Sequence, residues 1–228
     1  MTNAHSQPSQ PQAAEVDPAD ERILLAAGRL FREKGFAATT VREIAQAAGM
    51  LPGSLHYRYA SKDDVLVALM ERGVKRAIAA VTEAIAVTRD PIERLRLGLR
   101  AHLELLCRGD DSLYVLLYDF RSLPPAAKEG VEKSRGRYEA FWDGMLYEAW
   151  GTGRSRSVLD VELVRQFGMG AINWVATWYR PESGRTPAQV ADAFWTYLAF
   201  GLMREDARPA DLDSIFTALM TSPSPEED

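Results

Sequence analysis

Residues 39–62 read TTVREIAQAAGMLPGSLHYRYASK, and the order of residue types in this stretch decides how the rest of the chain is read. Thr40 followed three residues later by Glu43 forms a capping box: the hydroxyl accepts from a first-turn N–H while the carboxylate reaches back to the cap. A short helix is expected from about Val41 to Ala48. Gly49 can take the left-handed backbone that stops it, and Pro52 suits the first turn of the next helix. Val41, Ile44, Ala45 and Ala48 share a face that Leu55 meets from the second helix; Ala45 and Gly49 are small enough for close packing. The outer face of the second helix and its flanks then carry Ser54, His56, Tyr57, Arg58 and Lys62. These are hydroxyl, imidazole and cationic donors without an apolar partner, suited to phosphate oxygens and base edges. The stretch predicts a helix-turn-helix.

The same residues resemble the N-terminal domain of the TetR (tetracycline-repressor) family of bacterial transcriptional regulators. The resemblance covers roughly Ile23 to Val67, through AAGRLFREKGF, TTVREIAQAAGM and GSLHYRYASKDDVL, several spaced features agreeing together. It implies that Arg42 and Ser54 reach bases or nearby phosphates, and that Thr40, Tyr57, Arg58 and Lys62 clamp the DNA backbone. His56 stands where the family usually places a tyrosine that touches phosphate. A neutral imidazole donates one hydrogen bond and a protonated one adds charge, so that contact is expected to weaken as pH rises.

The 228 residues, 46% of them hydrophobic, suit a small DNA-binding domain plus a larger helical body. The net charge of −5 looks wrong for a DNA binder. Its distribution resolves this. Glu21 to Arg76 holds ten Lys or Arg against six Asp or Glu, so the acidity sits elsewhere, away from the proposed DNA face. One cysteine, Cys107, excludes an intrachain disulfide, and no apolar run is long enough for a membrane span or signal peptide. A cytoplasmic protein without a membrane partner is expected.

The expected fold class is all-α: an N-terminal three-helix helix-turn-helix domain and a C-terminal helical bundle for ligand binding and dimerisation. Residues 1–16, rich in Ser, Gln, Pro and Ala, read as a disordered tail, and 223–228 as an acidic one. The DNA-binding domain is assigned to 17–66 and the helical domain to 67–222. Asp17-Pro18, Ser61 with Asp64, and Asp90-Pro91 with Glu93 open helices, the second of which links the two domains. Further helices are expected over 112–122, 125–150, 159–180, 187–205 and 209–220, with Gly151 to Gly153 and Pro181 to Gly184 as breakers.

Val161, Val164, Gly168, Ala171, Val175 and Trp178 recur at helical spacing, as do Val190, Phe194, Tyr197, Leu198, Gly201 and Leu202. Two readings stand: ordinary core, or a four-helix interface of a homodimer. The family resemblance favours the dimer. A symmetric dimer would set two recognition helices ~34–36 Å apart and take a palindromic double-stranded operator.

Twelve aromatics between Tyr114 and Tyr179 crowd the acidic body. Most are core at such spacing, yet an aromatic cavity with a few polar groups is also what a small-molecule site needs. In the run from Asn173 to Pro181, Asn173 and Thr177 share one face, Trp174 and Trp178 another, and Arg180 ends the helix. This segment resembles the ligand domain of TetR-family repressors of fatty-acid and steroid catabolism. The resemblance implies an acyl-CoA thioester as effector, with its tail among Tyr118, Phe141, Asn173, Trp174 and Trp178 and its phosphates near Arg180, Arg121 or Arg185. An efflux regulator answering to hydrophobic drugs is the alternative.

An enzyme is not expected. There is no GxSxG elbow, phosphate loop or HExxH, and the histidines stand apart at 5, 56 and 102. No cofactor and no metal are expected; His102 reads as a satisfied, partly buried imidazole and Cys107 as a small hydrophobe. The reading from a different class is a helical enzyme or binding domain whose N-terminal segment only packs. It would leave Arg42, Arg58 and Lys62 without a task.

Overall fold

The computed structural model describes residues 17–109, 111–155 and 160–207. The expected tails at 1–16 and 223–228 and the expected helix over 209–220 lie outside the described residues. Within them stand nine α-helices: α1 (Pro18–Lys34), α2 (Val41–Ala47), α3 (Pro52–Arg58), α4 (Lys62–Ile85), α5 (Pro91–Cys107), α6 (Asp111–Tyr118), α7 (Pro125–Gly151), α8 (Val161–Trp178) and α9 (Pro187–Leu202). Extended pairing among the described residues amounts to one isolated bridge, Ser155 to Met203. The all-α expectation holds.

Local chemistry sets the helix starts. Asp17 accepts from the Ala19 N–H at 2.8 Å ahead of Pro18. Ser61 and Asp64 form a reciprocal capping box, and Asp90 accepts from Ile92 and Glu93 ahead of Pro91. Each satisfies N–H groups that the first turn leaves without a helical partner. Thr186 and Gln189 make a further capping box, a start signal the sequence reading passed over. Some ends differ from expectation. α8 stops at Trp178 rather than Arg180, because a residue preceding proline is driven out of the helical region, and Arg180 precedes Pro181. α9 stops at Leu202 because Met203 turns extended to meet Ser155, and the Arg204 N–H donates to the Arg154 carbonyl.

The helices stack around α4, which packs against α1, α5, α6 and α7. Its buried residues, among them Val65, Leu69, Val74, Ala77 and Val81, run the length of the helix. One continuous apolar core therefore extends from Ile23 and Phe31 in α1 through α4 to Leu99, Leu103 and Trp142. α6 is short but central. It touches both α1 and α4, so the helical body meets the N-terminal three-helix unit along it.

Candidate DNA-reading face and ligand cavity

The helix-turn-helix forms by the chemistry its sequence contains. The Thr40 hydroxyl accepts from the Glu43 N–H, and the Glu43 carboxylate accepts from the Thr40 N–H at 2.8 Å. Lys34 adds a 2.8 Å ion pair to the same carboxylate. Hydrogen bonds from Lys34 and then from Thr40 hold the Glu43 carboxyl at about 2, well below the usual range. The turn follows with Gly49 at φ 68°, and the Met50 N–H donates to the Ala45 carbonyl at 3.0 Å. Leu55 alone of α3 is buried, on the side that packs against α2. Everything else on α3 faces outward, Tyr57 at 91% exposure. Arg42 and Gln46, one turn apart on α2, share an open depression with Leu51 and Pro52 at the start of α3.

Two of the proposed DNA contacts hold other posts in the structure. Arg58 pairs with Asp17 at 2.7 Å and Asp20 at 3.0 Å, tying the end of α3 to the start of α1. Lys62 donates to the carbonyls of Phe36 and Thr39, both at 2.7 Å, and its ammonium stands 4.3 Å over the Phe36 ring. The sequence presents both as donors with no apolar partner that clamp the DNA backbone; here the α1–α2 loop leaves three carbonyls outside any helix ladder, Lys62 donates to them, and the Phe36 ring is its apolar neighbour. The Thr40 hydroxyl is likewise bound into its capping box. Arg42, Ser54, His56 and Tyr57 remain as the outward-facing polar set, and Gln46 joins them.

A cavity of about 280 Å³ lies between α5, α6, α7 and α8. Leu113, Leu116 and Leu117 of α6 form one wall, while Trp142 and Met169 face them from α7 and α8. Arg135, Glu139, Arg165 and Gln166 also line the cavity, and its buried polar centre is a chain of three side chains. Tyr138 Oη stands 2.6 Å from His102 Nδ1, and His102 Nε2 stands 2.9 Å from Asn173 Oδ1. With the Asn173 oxygen accepting, Nε2 carries the proton and Nδ1 accepts from the Tyr138 hydroxyl. Burial drives the His102 pKa down to about 4 despite the Asn173 hydrogen bond, so the imidazole is neutral near pH 7. Burial also raises the Tyr138 phenol. Trp142 lies edge-on to Tyr138, rings 6.0 Å apart, yet its buried indole N–H meets no acceptor at hydrogen-bonding geometry.

The structure divides the residues assigned to the ligand. Asn173 lines the cavity, and Tyr118 at its edge donates to the Asn173 carbonyl at 3.1 Å. Phe141 stacks behind Tyr138 rather than on the cavity. Arg121 is exposed outside it. Trp174 and Trp178, 62% and 47% exposed, lie outside it too, which corrects their placement around the tail. On α8 Asn173 turns toward the cavity while Trp174 lies on the exposed side of the helix. Arg180 lines a separate cleft and donates to the Thr177 and Tyr179 carbonyls. The sequence reading missed Tyr138 and Trp142, whose i, i+4 spacing on α7 was a signal, and the cavity role of His102.

The stripes read from the sequence divide: Val161, Gly168 and Val175 are buried in the subunit's own core, while Ala171, Trp178, Tyr197 and Gly201 are exposed. The uncovered apolar stripe of α8 runs through Leu163, Phe167, Trp174 and Trp178, with Phe167 at 74% exposure.

Comparison with known proteins decides the identity. Residues 23–69 match the family model described as bacterial regulatory proteins, tetR family, and residues 88–202 the tetracyclin repressor-like C-terminal domain. The chain belongs to the TetR family. It is similar to the HTH-type transcriptional repressor KstR2 of Mycobacterium tuberculosis, 28% identical over 195 residues, which span 85% of this chain and 97% of that one. The solved structure of that TetR-family relative, a ketosteroid transcriptional regulator, superposes with a TM-score of 0.72, covering 85% of this chain and 99% of the other. The fatty acid metabolism regulator protein of Bacillus subtilis is 27% identical over 69% of this chain and 81% of its own. The TetR-family regulator PfmR of Thermus thermophilus is 30% identical, covering 80% and 100% of the two chains, with a TM-score of 0.70. The chain is thus a TetR-family transcriptional regulator and not an enzyme. Among the described residues no helix is long and apolar enough to cross a membrane, and no group of three or more His, Cys, Asp or Glu could hold a metal.

Proposed function

We propose that this TetR-type repressor binds a palindromic operator as a homodimer and is released by a small-molecule effector with an apolar tail and a hydrogen-bonding oxygen, an acyl-CoA thioester being the class. The observation that carries the effector reading is the cavity on α6, with its neutral Tyr138–His102–Asn173 chain and the unpartnered Trp142 N–H. A buried donor left unpaired costs about 1–3 kcal/mol, which a carbonyl oxygen of a guest would recover. At about 280 Å³ the cavity sits at the small end of ligand sites, which run ~300–1,000 Å³; it suits an acyl tail or a ring, not a whole thioester. The names of two relatives, a ketosteroid regulator and a fatty acid metabolism regulator, agree with such a guest.

Arg42, Gln46, Ser54, His56 and Tyr57 face the operator, Arg42 and Ser54 nearest the bases. Arg58 and Lys62 hold the frame from which these residues project. The exposed Leu163, Phe167, Trp174 and Trp178 stripe supports the dimer, since a contiguous apolar patch of that kind marks an interface. Release follows from position. A guest against Leu113, Leu116 and Leu117 moves α6, which packs on α1 and α4, and so changes the separation of the two recognition helices. The effector must bind the released form more tightly, since equal affinity for both forms shifts nothing. Isothermal titration with acyl-CoA thioesters of graded length and steroid-derived thioesters tests this. Heat is expected for at least one, lost in Asn173→Leu; silence across the panel rejects the class.

A further inference from the structure

A second opening lies on the other side of the seam between α6 and α8, and the ligand cavity does not use it. It is a cleft of about 430 Å³ beside Arg32, Arg108, Tyr114, Thr177 and Arg180. Its three guanidiniums come from three places: Arg32 from α1, Arg108 from the end of α5, Arg180 from just past α8. Among the described residues the carboxylates around them are Asp111, 3.2 Å from Arg32, Glu104, 3.4 Å from Arg108 and shared with Arg100, and Glu182, two residues past Arg180, whose charge reaches Tyr179. All three cations stand at C-terminal helix ends, Arg32 in the last turn of α1 and Arg108 and Arg180 just past α5 and α8, where each offsets a helix dipole. Arg32 also lies 4.7 Å over the Tyr114 ring, held at the cleft by α6.

We infer that this cleft is an anion site for a phosphate- or diphosphate-bearing group, and that its occupant competes with Asp111 for Arg32. Each guanidinium carries five N–H donors in a planar fork, matched to phosphate oxygens. The Arg32 contact to Asp111 uses one nitrogen at the long end of the hydrogen-bond range, and Arg108 is 75% exposed at its side chain. A dianion offers both more charge and more acceptors than the single carboxylate it displaces. The Arg32–Asp111 pair joins the N-terminal unit to the first residue of α6, so its loss loosens the same α1–α6 contact that the cavity wall presses upon. Between cleft and cavity stand the Tyr114–Tyr118 ring pair, 4.7 Å apart, and the Tyr118 to Asn173 hydrogen bond. One amphipathic ligand could thus lay its tail in the cavity and its phosphates in the cleft, parting that bond. This last step rests on the proposed effector reading; anion binding at the cleft does not. Burial, with the Glu104 charge adding, lifts the nearby Cys107 thiol to about 11, so it stays a thiol and adds no competing negative charge.

The test is calorimetric titration of inorganic diphosphate, and separately of unacylated coenzyme A, into the full-length chain. Saturable binding of one diphosphate per chain is expected, weakened about tenfold or more in Arg108→Ala/Arg180→Ala and essentially unchanged in Arg89→Ala/Lys133→Ala, two exposed cations outside the cleft. Both pairs are exposed, so circular dichroism should match wild type. Hydrogen exchange should rise in the last turn of α1 when diphosphate is added and already be raised in Asp111→Asn. Coenzyme A binding about tenfold tighter than diphosphate would name a nucleotide-bearing ligand as the source; equal affinity would name the free anion. No saturable binding of either, or equal loss in the two double variants, overturns the cleft site. The cavity reading would then still stand or fall on its own titration with Asn173→Leu.

Discussion

Gly73 of α4 lies against the backbone of Ser112 in α6 so closely that a Cβ on Gly73 would stand 2.7 Å from the Ser112 carbonyl oxygen. The two helices touch backbone to backbone at this point, and no flexible side chain is there to yield. Any signal arriving at α6 therefore passes to α4 with little slack.

Gly73→Ala should destabilise the protein by roughly 1–3 kcal/mol, the cost of overpacking a rigid contact. Gly144→Ala, on α7 with nothing within 4 Å of its added Cβ, should instead stabilise by roughly 0.5–1 kcal/mol. Urea unfolding of both variants checks the pair; equal effects would mean that α4 and α6 are not locked here.

The buried imidazole of His102 gives a pH dependence of definite sign. Its pKa is near 4 in the folded chain against about 6.5 unfolded. The unfolded chain therefore binds more protons between these values, and stability falls as pH drops from about 6.5 to about 4. The loss attributable to this group is on the order of 3 kcal/mol, complete below the folded value. Carboxylates held low in the folded state, such as Glu43 and Asp90, add their own loss at the acid end of the range and beyond. Denaturant midpoints from pH 7 to 4.5 should show the slope, and His102→Phe should flatten it.

The helix-turn-helix and its flanks contain donors of two kinds, Arg42 on α2 and Lys62 at the start of α4, and substitution should separate them. Lys62→Met removes charge-assisted bonds to the Phe36 and Thr39 carbonyls and should cost roughly 1–3 kcal/mol of stability. Arg42→Ala touches nothing that holds the fold; it should leave the melting temperature unchanged and lower affinity for operator DNA. If Arg42→Ala melts early and Lys62→Met binds DNA poorly at full stability, the two roles have been assigned the wrong way round.

Residues 39–62 were the most legible part of the chain because capping, turn and apolar spacing there are local. Thr40 with Glu43, Gly49 and Leu55 all act within a few residues of one another, and the structure has each in its expected post. The partners of Lys62 were not legible, because the Phe36 and Thr39 carbonyls lie more than twenty residues back. Helical periodicity likewise shows that α8 is apolar but not which stripe its own subunit covers. Packing against α5 and α7 buries Gly168 and Val175 and leaves Phe167 and Trp174 outside. The cavity was the least legible feature. It takes His102, Tyr138 and Asn173 from three helices, with up to 71 residues between hydrogen-bonded partners.

The uncovered stripe is the proposed dimer face. Phe167→Asp combined with Trp174→Asp places two charges in a patch that two subunits would otherwise bury, and burying an unpaired charge is heavily penalised. Sedimentation should find dimers for wild type and monomers of native helicity for the double variant. Dimers in both would place the interface on another face.

The central claim is that two copies of α3 enter successive grooves of one duplex and leave when the cavity fills. Footprinting on genomic DNA fragments, repeated across salt concentrations and with an acyl-CoA thioester added, tests it most directly. The expected result is two protected half-sites related by a two-fold axis, affinity falling steeply with salt as phosphate counterions are released, and protection lost on adding the thioester. Protection of no fragment, or of a single asymmetric site indifferent to salt and thioester, would contradict it.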